Sequence, residues 1–397
     1  MRRTLAALGA LPLAALGLFY CNSDNNTGGS VDLAVASPDL SAEPDLAEAV
    51  DLATPVDFAT TVAPTEFTVL RIGGGGAALT NDATAGFLER RQIANGTIVG
   101  TPLALPTAVN GANRQLTFSG SASVEGQLSR SSNGKYLVVA GYAANPGTVN
   151  VSTSVSMTIN RVIGRIDAAG VINTATAFNA FSGSAVRGAA STDGTMLWVS
   201  SDLGIGYTTL GSTAAPTILN TSNVRALQIF GQNNVAQLFA SGGASGTYGV
   251  NIVGTGTPNA AGTAVTPLTG FTQANSPSSY DFVAFDRDAN GSIDQLYVAD
   301  DRTVTGGGVQ RWKLGGATWA LEGTISTGLT AGARAVAGYV ANNTVTLLVT
   351  TSEVGNTAPR VLRITDAGGA TTAATSQLLA TAATNTTYRG IALAPTP

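Results

Sequence analysis

Over most of the chain, apolar residues alternate with small or polar residues in short runs, and polar or glycine-containing turns separate these runs. The pattern is clearest in residues 280–314, where 281–285 and 295–299 carry branched and aromatic residues at the spacing of β-strands. A polar Asn-Gly turn separates these two runs, and residues 308–314 form a third run after several glycines. The stretch therefore predicts a meander of short antiparallel strands.

The same strand-turn-strand unit recurs along the chain. Each copy has a first strand rich in small residues, an Asn-Gly, Asp-Gly or Asn-Asn type of turn, and a strongly apolar second strand. A third strand and a more polar fourth strand lie between copies, as in residues 360–368 and 375–381. The copies are residues 124–141, 186–201, 224–241, 280–300 and 333–351. Units of this kind predict a β-propeller, in which four-stranded blades surround a central channel.

The spacing of the copies indicates the number of blades. Equivalent positions in successive copies lie about 53 residues apart. At that spacing six blades need about 317 residues and seven need about 370, whereas residues 66–397 supply about 330. We expect a six-bladed β-propeller, with seven blades as the alternative.

The two ends of the predicted propeller complement each other. A sixth copy begins at Tyr388, but the chain ends before its second strand. Strand-like residues 66–74, 85–93 and 97–105 at the other end can complete it. Pairing the N- and C-terminal strands in one blade would close the ring and remove exposed sheet edges, which promote aggregation.

The turn in residues 286–294 is longer than a hairpin needs and carries oxygen-bearing groups at alternate positions. Such spacing directs successive oxygens toward one point, as a hard cation such as Ca²⁺ requires. Gly291 stands where the chain must bend sharply. The predicted calcium ligands are Asp286, Asp288, Asn290, Ser292 through its carbonyl, and Asp294. The alternative is an acidic turn that caps the hairpin without a metal.

This loop matches the first nine positions of the EF-hand pattern. Tyr297 stands where the bidentate glutamate would be, which argues against an EF-hand. The segment FDRDANGSID, followed by LYVAD, resembles the nine-residue calcium loops of integrin-type and pilus-tip propellers. That resemblance covers about one blade and implies a structural Ca²⁺ between two strands.

The amino-acid composition mainly excludes certain classes of catalysis, metal site and partner. The chain has 397 residues, 48 of them glycine, and only 11% are charged, which suits short strands joined by tight turns. It contains no histidine, which excludes Ser-His-Asp and Cys-His catalysis and the usual histidine-ligated zinc sites. The net charge of −4 provides no general attraction for polyanions, so no nucleic-acid partner is expected.

The N-terminal residues predict export. Arg2 and Arg3 precede an apolar run, residues 5–20, that is too short to span a bilayer and has the form of a signal peptide. Cys21 resembles the lipidated residue of bacterial lipoproteins, which implies a membrane anchor; the alternative is secretion with a free thiol. Residues 22–65 contain eight acidic residues and no lysine or arginine, and they predict a disordered stalk. The expected domains are residues 1–21, 22–65 and 66–397.

Each first strand carries an ionisable residue at one aligned position. First strands line the channel of a propeller, so these residues are expected to form a charged ring around it. The ring residues are Glu125, Arg187, Arg225, Asp281, Arg334 and Arg389. In one interpretation, each carboxylate is neutralised by the arginines on either side of it. In the other, the surplus arginines bind carboxylate or phosphate groups, and Glu125 and Asp281 serve as the acid and base of a hydrolase.

Three functions remain open. The chain resembles propeller lipoproteins of Gram-negative bacteria, which implies a monomeric scaffold at the outer membrane or cell surface, or otherwise in the periplasm. The main hypothesis is a calcium-stabilised binding or adhesion module for a protein or polysaccharide, without catalysis. The second is a calcium-dependent, sialidase-like glycoside hydrolase or lyase, which the three-blade separation of Glu125 and Asp281 disfavours. The third is a structural envelope component.

The tryptophans are expected to be structural. Trp198 lies on a predicted second strand and should belong to the core. Trp312 and Trp319 flank a turn between third and fourth strands, where packing inside or between blades is expected and exposure for sugar stacking is the alternative.

Overall fold

The computed structural model describes residues 63–302, 306–353 and 358–397. The predicted signal peptide, Cys21 and nearly all of the predicted stalk lie outside these residues. Across the described ranges the chain forms 25 β-strands and two short 3-10 turns and no α-helix, so the class is all-β, as predicted. This part of the chain accordingly has no helix long and apolar enough to cross a membrane.

The strands succeed one another along the chain, joined by short turns and by several longer connections, the longest between β6 and β7. The first six are β1 Glu66–Ile72, β2 Ala83–Gln92, β3 Leu103–Ala104, β4 Thr117–Ser119, β5 Leu128–Arg130 and β6 Tyr136–Tyr142. After the 3-10 turn Val151–Thr153 come β7 Arg161–Asp167, β8 Ile172–Phe178, β9 Val186–Ser191, β10 Met196–Ser201, β11 Gly204–Thr209 and β12 Thr217–Asn220. The next eight are β13 Leu227–Gln232, β14 Val235–Gly242, β15 Gly249–Val253, β16 Val265–Pro267, β17 Ser279–Phe285, β18 Gln295–Asp300, β19 Gly308–Gly315 and β20 Thr318–Ile325. The last are β21 Ala333–Ala341, β22 Thr344–Thr351, β23 Arg360–Asp366, β24 Thr375–Thr381, which follows the 3-10 turn Thr371–Ala373, and β25 Thr387–Leu393.

Most of these strands form four-stranded antiparallel sheets. Four sheets contain consecutive strands, namely β9–β12, β13–β16, β17–β20 and β21–β24, and each is named below by its first strand. The other nine strands form one path that contains two groups, β25-β1-β2-β3 and β5-β6-β7-β8. Strand β4 joins these groups, and it pairs with β6 at a single position, Thr117 with Tyr142.

The sheets are arranged around a channel. Contacts between first strands run in sequence from β5 to β9, β13, β17, β21 and β25, and from β25 back to β5. The fourth strands, such as β12 and β24, are the more exposed ones, so they lie at the outer edge. This radial arrangement is that of a β-propeller. Strand β25 pairs antiparallel with β1, Val69 opposite Ile391, so the two ends of the domain meet in one sheet as the incomplete repeat predicted.

Apolar side chains packed between neighbouring sheets form the core. The second strands are the most buried, and every residue of β18 is buried. One core cluster combines Val283 and Tyr297 of the β17 sheet with Leu347 of the β21 sheet. Burial of this kind between sheets is the main driving force for closing the ring.

The three tryptophans lie in the core. Trp198 and Trp312 are fully buried, and Trp319 is 5% exposed. Trp312 stacks on Phe271 with 4.0 Å between ring centroids. Packing is therefore the role of Trp312 and Trp319, and the alternative of exposure for sugar stacking is wrong.

Candidate functional site

Bulges in the first strands place the ring residues. In β9, β17, β21 and β25, pairing with the adjacent strand shifts register at the aligned ionisable position. The residues at these shifts are Arg187, Asp281, Arg334 and Arg389. Glu125 and Arg225 lie in the segments that lead into β5 and β13. All six therefore lie at one end of the channel, where the first strands begin; we call this the entry end. A bulge releases a backbone amide from the ladder and re-aims the side chain.

Hydroxyl groups on the second strands satisfy the released amides in three sheets. The Ser200 hydroxyl accepts from the Gly188 amide at 3.0 Å, the Ser241 hydroxyl from the Ala226 amide at 3.0 Å, and the Thr350 hydroxyl from the Ala335 amide at 3.1 Å. Each hydroxyl also donates to a backbone carbonyl in the next sheet around the channel. The receiving carbonyls are, in the same order, those of Arg225, Tyr280 and Arg389. The hydroxyls thus tie neighbouring sheets together beside the ring.

In the β17 sheet the residue opposite the bulge is Ala299, which has no hydroxyl group. Asp281 makes the corresponding link between the β17 and β21 sheets instead. The carboxylate accepts hydrogen bonds from the Phe282 amide at 2.8 Å and from the Val336 amide of the next sheet at 3.3 Å. Gln228, in the preceding sheet, donates to it at 3.1 Å. Burial raises the pKa of Asp281 to about 7 in spite of these donors. Asp281 therefore connects three sheets.

Glu125 is the other buried carboxylate of the ring. It accepts hydrogen bonds from the Ser119 amide at 2.9 Å and from the Tyr142 hydroxyl at 2.8 Å. Burial raises its pKa to about 7, and the positive charge of Arg389 opposes that rise by a smaller amount. Both carboxyl groups are at most 1% exposed.

The expected neutralisation of carboxylates by flanking arginines is corrected by the structure. In the described part of the chain, neither Glu125 nor Asp281 forms a direct ion pair with a ring arginine. The arginines donate instead to backbone carbonyls of neighbouring segments. The donor-acceptor pairs are Arg187 with Val224 at 2.7 Å, Arg225 with Ser279 at 2.8 Å, and Arg389 with Gly120 at 3.0 Å. Buried carbonyls require a donor, and the guanidinium fork supplies one there.

Tyr280 lies among the arginines of the entry end. The guanidinium carbons of Arg225 and Arg334 lie 4.4 Å and 4.2 Å from the centroid of its ring, within cation–π range. Arg334 also forms an ion pair with Asp301 at 3.1 Å, and the atoms of Arg187 and Asp202 approach to 3.9 Å. These contacts make Tyr280 a residue of the candidate site that the sequence analysis did not single out.

A cavity occupies the opposite end of the channel, where the first strands turn into the second strands; we call this the turn end. Its volume is about 960 Å³. Gln228 and the backbone of Phe282 and Val336, which hold Asp281, lie at its floor. Its walls and rim include Phe230, Phe285, Tyr339, Arg130 and Arg287. The cavity therefore combines aromatic surface with a few polar groups.

The predicted calcium loop lies at the rim of this cavity, which Asp286, Arg287, Ala289 and Gly291 help to line. Ala289 and Gly291 adopt positive φ of 56° and 85°, so the loop curls back on itself. The Asp286 carboxylate accepts hydrogen bonds from the amides of Asn290 at 3.2 Å and Gly291 at 2.7 Å. A β-carbon on Gly291 would overlap the side chain of Asn234 in the β13 sheet.

The fit of this loop to a cation is incomplete. Its ligand candidates lie on one curled turn, and the Asp294 carboxylate accepts from the Arg287 amide at 2.8 Å. Burial raises the pKa of Asp294, and the nearby charges of Asp288 and Asp286 raise it further. However, no group of three or more acidic, cysteine or histidine side chains in the described ranges is arranged to hold a metal ion. Calcium binding stays a prediction.

Sequence reasoning missed two residues that organise the channel. Tyr280 directly precedes the aligned Asp281, and no signal in the sequence marks it as the contact of two arginines. Gln228 follows the aligned Arg225 by three positions, so its direction into the channel depends on the strand register of β13.

The fold and the channel define the class of this protein: an all-β chain of radially arranged antiparallel sheets with a buried charged ring and a cavity at one end. No protein-family model matches the sequence, and no curated protein matches it. The class therefore follows from the chain's own sheets.

A search of solved structures finds several that are similar to this chain over most of its length. A TolB-type protein from Agrobacterium tumefaciens is 12% identical, and the match covers 84% of this chain and 99% of that one at a TM-score of 0.35. The SapL1 lectin, in complex with alpha methyl fucoside, is 14% identical over 83% of this chain and 99% of that one, at 0.36. The extracellular domain of a one-component system from B. thetaiotaomicron is 12% identical over 81% of this chain, which spans only 38% of that protein, at 0.37. Likenesses at these scores carry no argument about function.

Proposed function

We propose that this chain is an exported six-bladed β-propeller that acts as a binding scaffold and takes its ligand into the turn-end cavity. The cycle of contacts through β5, β9, β13, β17, β21 and β25 supports six blades rather than seven. The cavity of about 960 Å³ carries the binding function, because its size falls within the range of ligand sites.

The lining of the cavity indicates the kind of ligand. The aromatic rings of Phe285 and Tyr339 offer flat apolar surface. Gln228, which also donates to Asp281, and Arg287, which also donates to Gln295 and Asn343, add polar groups to the lining. A saccharide ring and a polypeptide side chain both present an apolar face with polar groups at its edge. The ligand is therefore a segment of a polysaccharide or of a surface protein.

Calcium has a supporting role in this proposal. Ca²⁺ would be held by Asp286, Asp288, Asn290, the Ser292 carbonyl and Asp294, and it would stiffen the loop at the cavity rim. The loop also contacts the next sheet, since the Asn234 amide donates to the Gly291 carbonyl at 2.9 Å. A stiffer loop would therefore steady both the rim and the neighbouring turn.

Anchoring through Cys21 completes the proposal. A lipid on Cys21 would hold the propeller at a membrane by way of the acidic stalk, at the outer membrane or cell surface. Replacement of Cys21 by serine should move the exported protein from the membrane fraction to the soluble fraction. Recovery of Cys21→Ser in the membrane fraction would refute the anchor.

A hydrolase is not proposed. Glu125 and Asp281 are at most 1% exposed, and their oxygens are engaged by amide, hydroxyl and side-chain donors. A glycosidase acid or base must reach the scissile bond of its substrate. The buried position of Asp281 is explained by the link it makes between sheets, and that of Glu125 by the hydrogen bonds it accepts from Ser119 and Tyr142.

Binding is tested by screening the purified full chain on an array of bacterial and host glycans, followed by calorimetry of the best ligand. Tyr339→Ala removes a wall of the cavity, and Ala337→Phe fills part of it. Both should weaken binding, whereas Leu378→Ala, at a position 54% exposed on the outer strand β24, should not. Equal affinity in all three variants would place the ligand elsewhere, and the binding-cavity proposal would fail.

A further inference from the structure

The charges at the entry end of the channel are not balanced. Four arginines, Arg187, Arg225, Arg334 and Arg389, come together there. Two of them have carboxylate partners, Asp202 at 3.9 Å and Asp301 at 3.1 Å. In the ranges the structure describes, Arg225 and Arg389 have no carboxylate within ion-pair distance. Asp281 forms no ion pair with these arginines, because its oxygens are held by Gln228, Phe282 and Val336 on the cavity side. Glu125 acts on Arg389 only through its charge, because its oxygens accept from the Ser119 amide and the Tyr142 hydroxyl.

The guanidinium groups are close enough for the positive charge of one to lower the pKa of another. Arg225 and Arg334 share the ring of Tyr280. Burial lowers the pKa of Arg389 to about 10; the negative charge of Glu125 opposes that depression, and the positive charge of Arg334 adds to it. Burial also lowers the pKa of Arg187, and Arg225 contributes to it. Like charges held together in a partly buried place make that place favourable for an anion.

Two buried polar atoms at the entry end of the channel have no hydrogen-bond partner. They are Nε of Arg187 and Oγ of Ser279, and both can act as donors. Nη1 of Arg187 donates to Asn223 at 2.6 Å and to the Val224 carbonyl at 2.7 Å, and Nη2 lies 3.9 Å from Asp202. Buried donors in native proteins are nearly always satisfied by protein, water or ligand. These two donors can therefore bind a further hydrogen-bond acceptor at the entry end.

We propose that the entry end of the channel is an anion site that binds a carboxylate or phosphate group of a small ligand through Arg187 and Arg225. Arg334 and Arg389 add positive charge behind these two residues. Arg187 and Arg225 are half-buried as whole residues, whereas Arg334 and Arg389 are buried. Arginine suits this chemistry because its planar fork can donate two parallel hydrogen bonds to one oxyanion.

This site is separate from the turn-end cavity. The ring residues lie where the first strands begin, and the cavity lies where they end. None of the four arginines lines the cavity. The two sites are therefore open to independent tests.

The test is calorimetric titration of the purified full chain with inorganic phosphate, and in parallel with acetate, at an ionic strength held constant with sodium chloride. Saturable binding of one anion per chain is expected. Arg225→Gln removes the charge but keeps a polar side chain, and it should weaken binding about tenfold or more. Arg187→Lys keeps the charge but loses the planar fork, so this second variant should also weaken binding.

Two matched variants act as controls. Arg90→Gln alters an arginine that pairs with Glu66 away from the channel, and Tyr339→Ala alters the turn-end cavity. Both should bind the anion as the unaltered chain does. Whichever of phosphate and acetate binds more tightly identifies the ligand group. If neither anion binds, or if Arg90→Gln weakens binding as much as Arg225→Gln and Arg187→Lys do, the anion site is refuted.

Discussion

The hydroxyl of Thr350 donates a hydrogen bond of 2.8 Å to the backbone carbonyl of Arg389 in the next sheet. The same hydroxyl accepts from the Ala335 amide, which the bulge at Arg334 has released from the strand ladder. One side chain thus satisfies a buried amide and joins the β21 sheet to the strand that closes the ring. Ser200 and Ser241 repeat the arrangement in two other sheets, and Asp281 replaces it in a third.

Replacement of Thr350 by valine tests this link. Valine keeps the shape of the side chain, but it leaves the Ala335 amide and the Arg389 carbonyl without their partner. The free energy of unfolding should fall by about 1–3 kcal/mol, measured by denaturant unfolding. Thr346→Val, on the same strand and only half-buried, should change it by less than about 0.5 kcal/mol. Equal effects at the two positions would show that the link adds no stability.

The stability of the fold should depend on pH in a defined direction. Burial raises the pKa of Glu125 and of Asp281 to about 7, so the native state keeps protons that the unfolded chain releases near pH 4. The free energy of unfolding should therefore fall as the pH rises from about 4.5 to about 7, by about 1–3 kcal/mol for each carboxyl, and then level off. Urea unfolding between about pH 5 and pH 8 measures this.

Glu125→Gln and Asp281→Asn provide the control for that dependence. Each variant removes one group that titrates, so each should flatten the slope over this range. A slope that stays unchanged in both variants would mean that other groups cause it.

The buried ion pair of Arg311 and Asp366 joins the β17 and β21 sheets. One guanidinium nitrogen of Arg311 lies 2.9 Å from each oxygen of Asp366, and the Tyr297 hydroxyl donates to the same carboxylate at 2.8 Å. Arg311→Leu should cost about 3–5 kcal/mol, because it leaves a charge that is 1% exposed without its partner.

A double variant and a surface pair complete this experiment. Arg311→Leu together with Asp366→Leu should recover much of the loss, since the uncompensated charge is gone. Arg90→Leu, which breaks the pair of a half-exposed arginine with Glu66, should cost no more than about 1 kcal/mol. Denaturant unfolding of the four proteins would contradict the argument if the single Arg311 variant were as mild as Arg90→Leu.

Calcium should raise the thermal midpoint of the full chain relative to a chelator. Ligand at a hundredfold excess over its dissociation constant stabilises the native state by about 2.7 kcal/mol, and Asp286→Ala/Asp288→Ala should abolish the shift. Asp193→Ala, which changes the acidic turn of another copy, should keep it. If the unaltered chain shows no calcium-dependent shift, the loop is a turn without a metal.

Local patterns were sufficient for much of the fold. The turn and strand of each copy depend on neighbouring residues, so the hairpin β17–β18 and the positions of β1, β2, β23 and β24 follow closely from the sequence. The pairing of β25 with β1 could also be predicted, because an incomplete last unit and surplus strands at the start leave sheet edges that must be covered. The alignment of the copies likewise placed six ionisable residues at equivalent positions.

The contacts of those residues could not be predicted in the same way. The order of the residues around the ring predicts that arginines pair with carboxylates. In the structure the arginines donate to backbone carbonyls, and Asp281 accepts from backbone amides. A register shift of one residue in a strand changes which way a side chain points, and periodicity along the chain does not reveal such a shift.

The sequence by itself determined the strands, their repetition, the closing of the ring and which ionisable residues share a level of the channel, because these follow from local geometry and from the need to cover sheet edges. Only the tertiary structure decided that Tyr280 meets two arginines, that Asp281 replaces a hydroxyl between sheets, and that a cavity opens at the turn end. Those features arise where sheets about 50 residues apart in the chain converge, and small shifts in strand register set which atoms meet there.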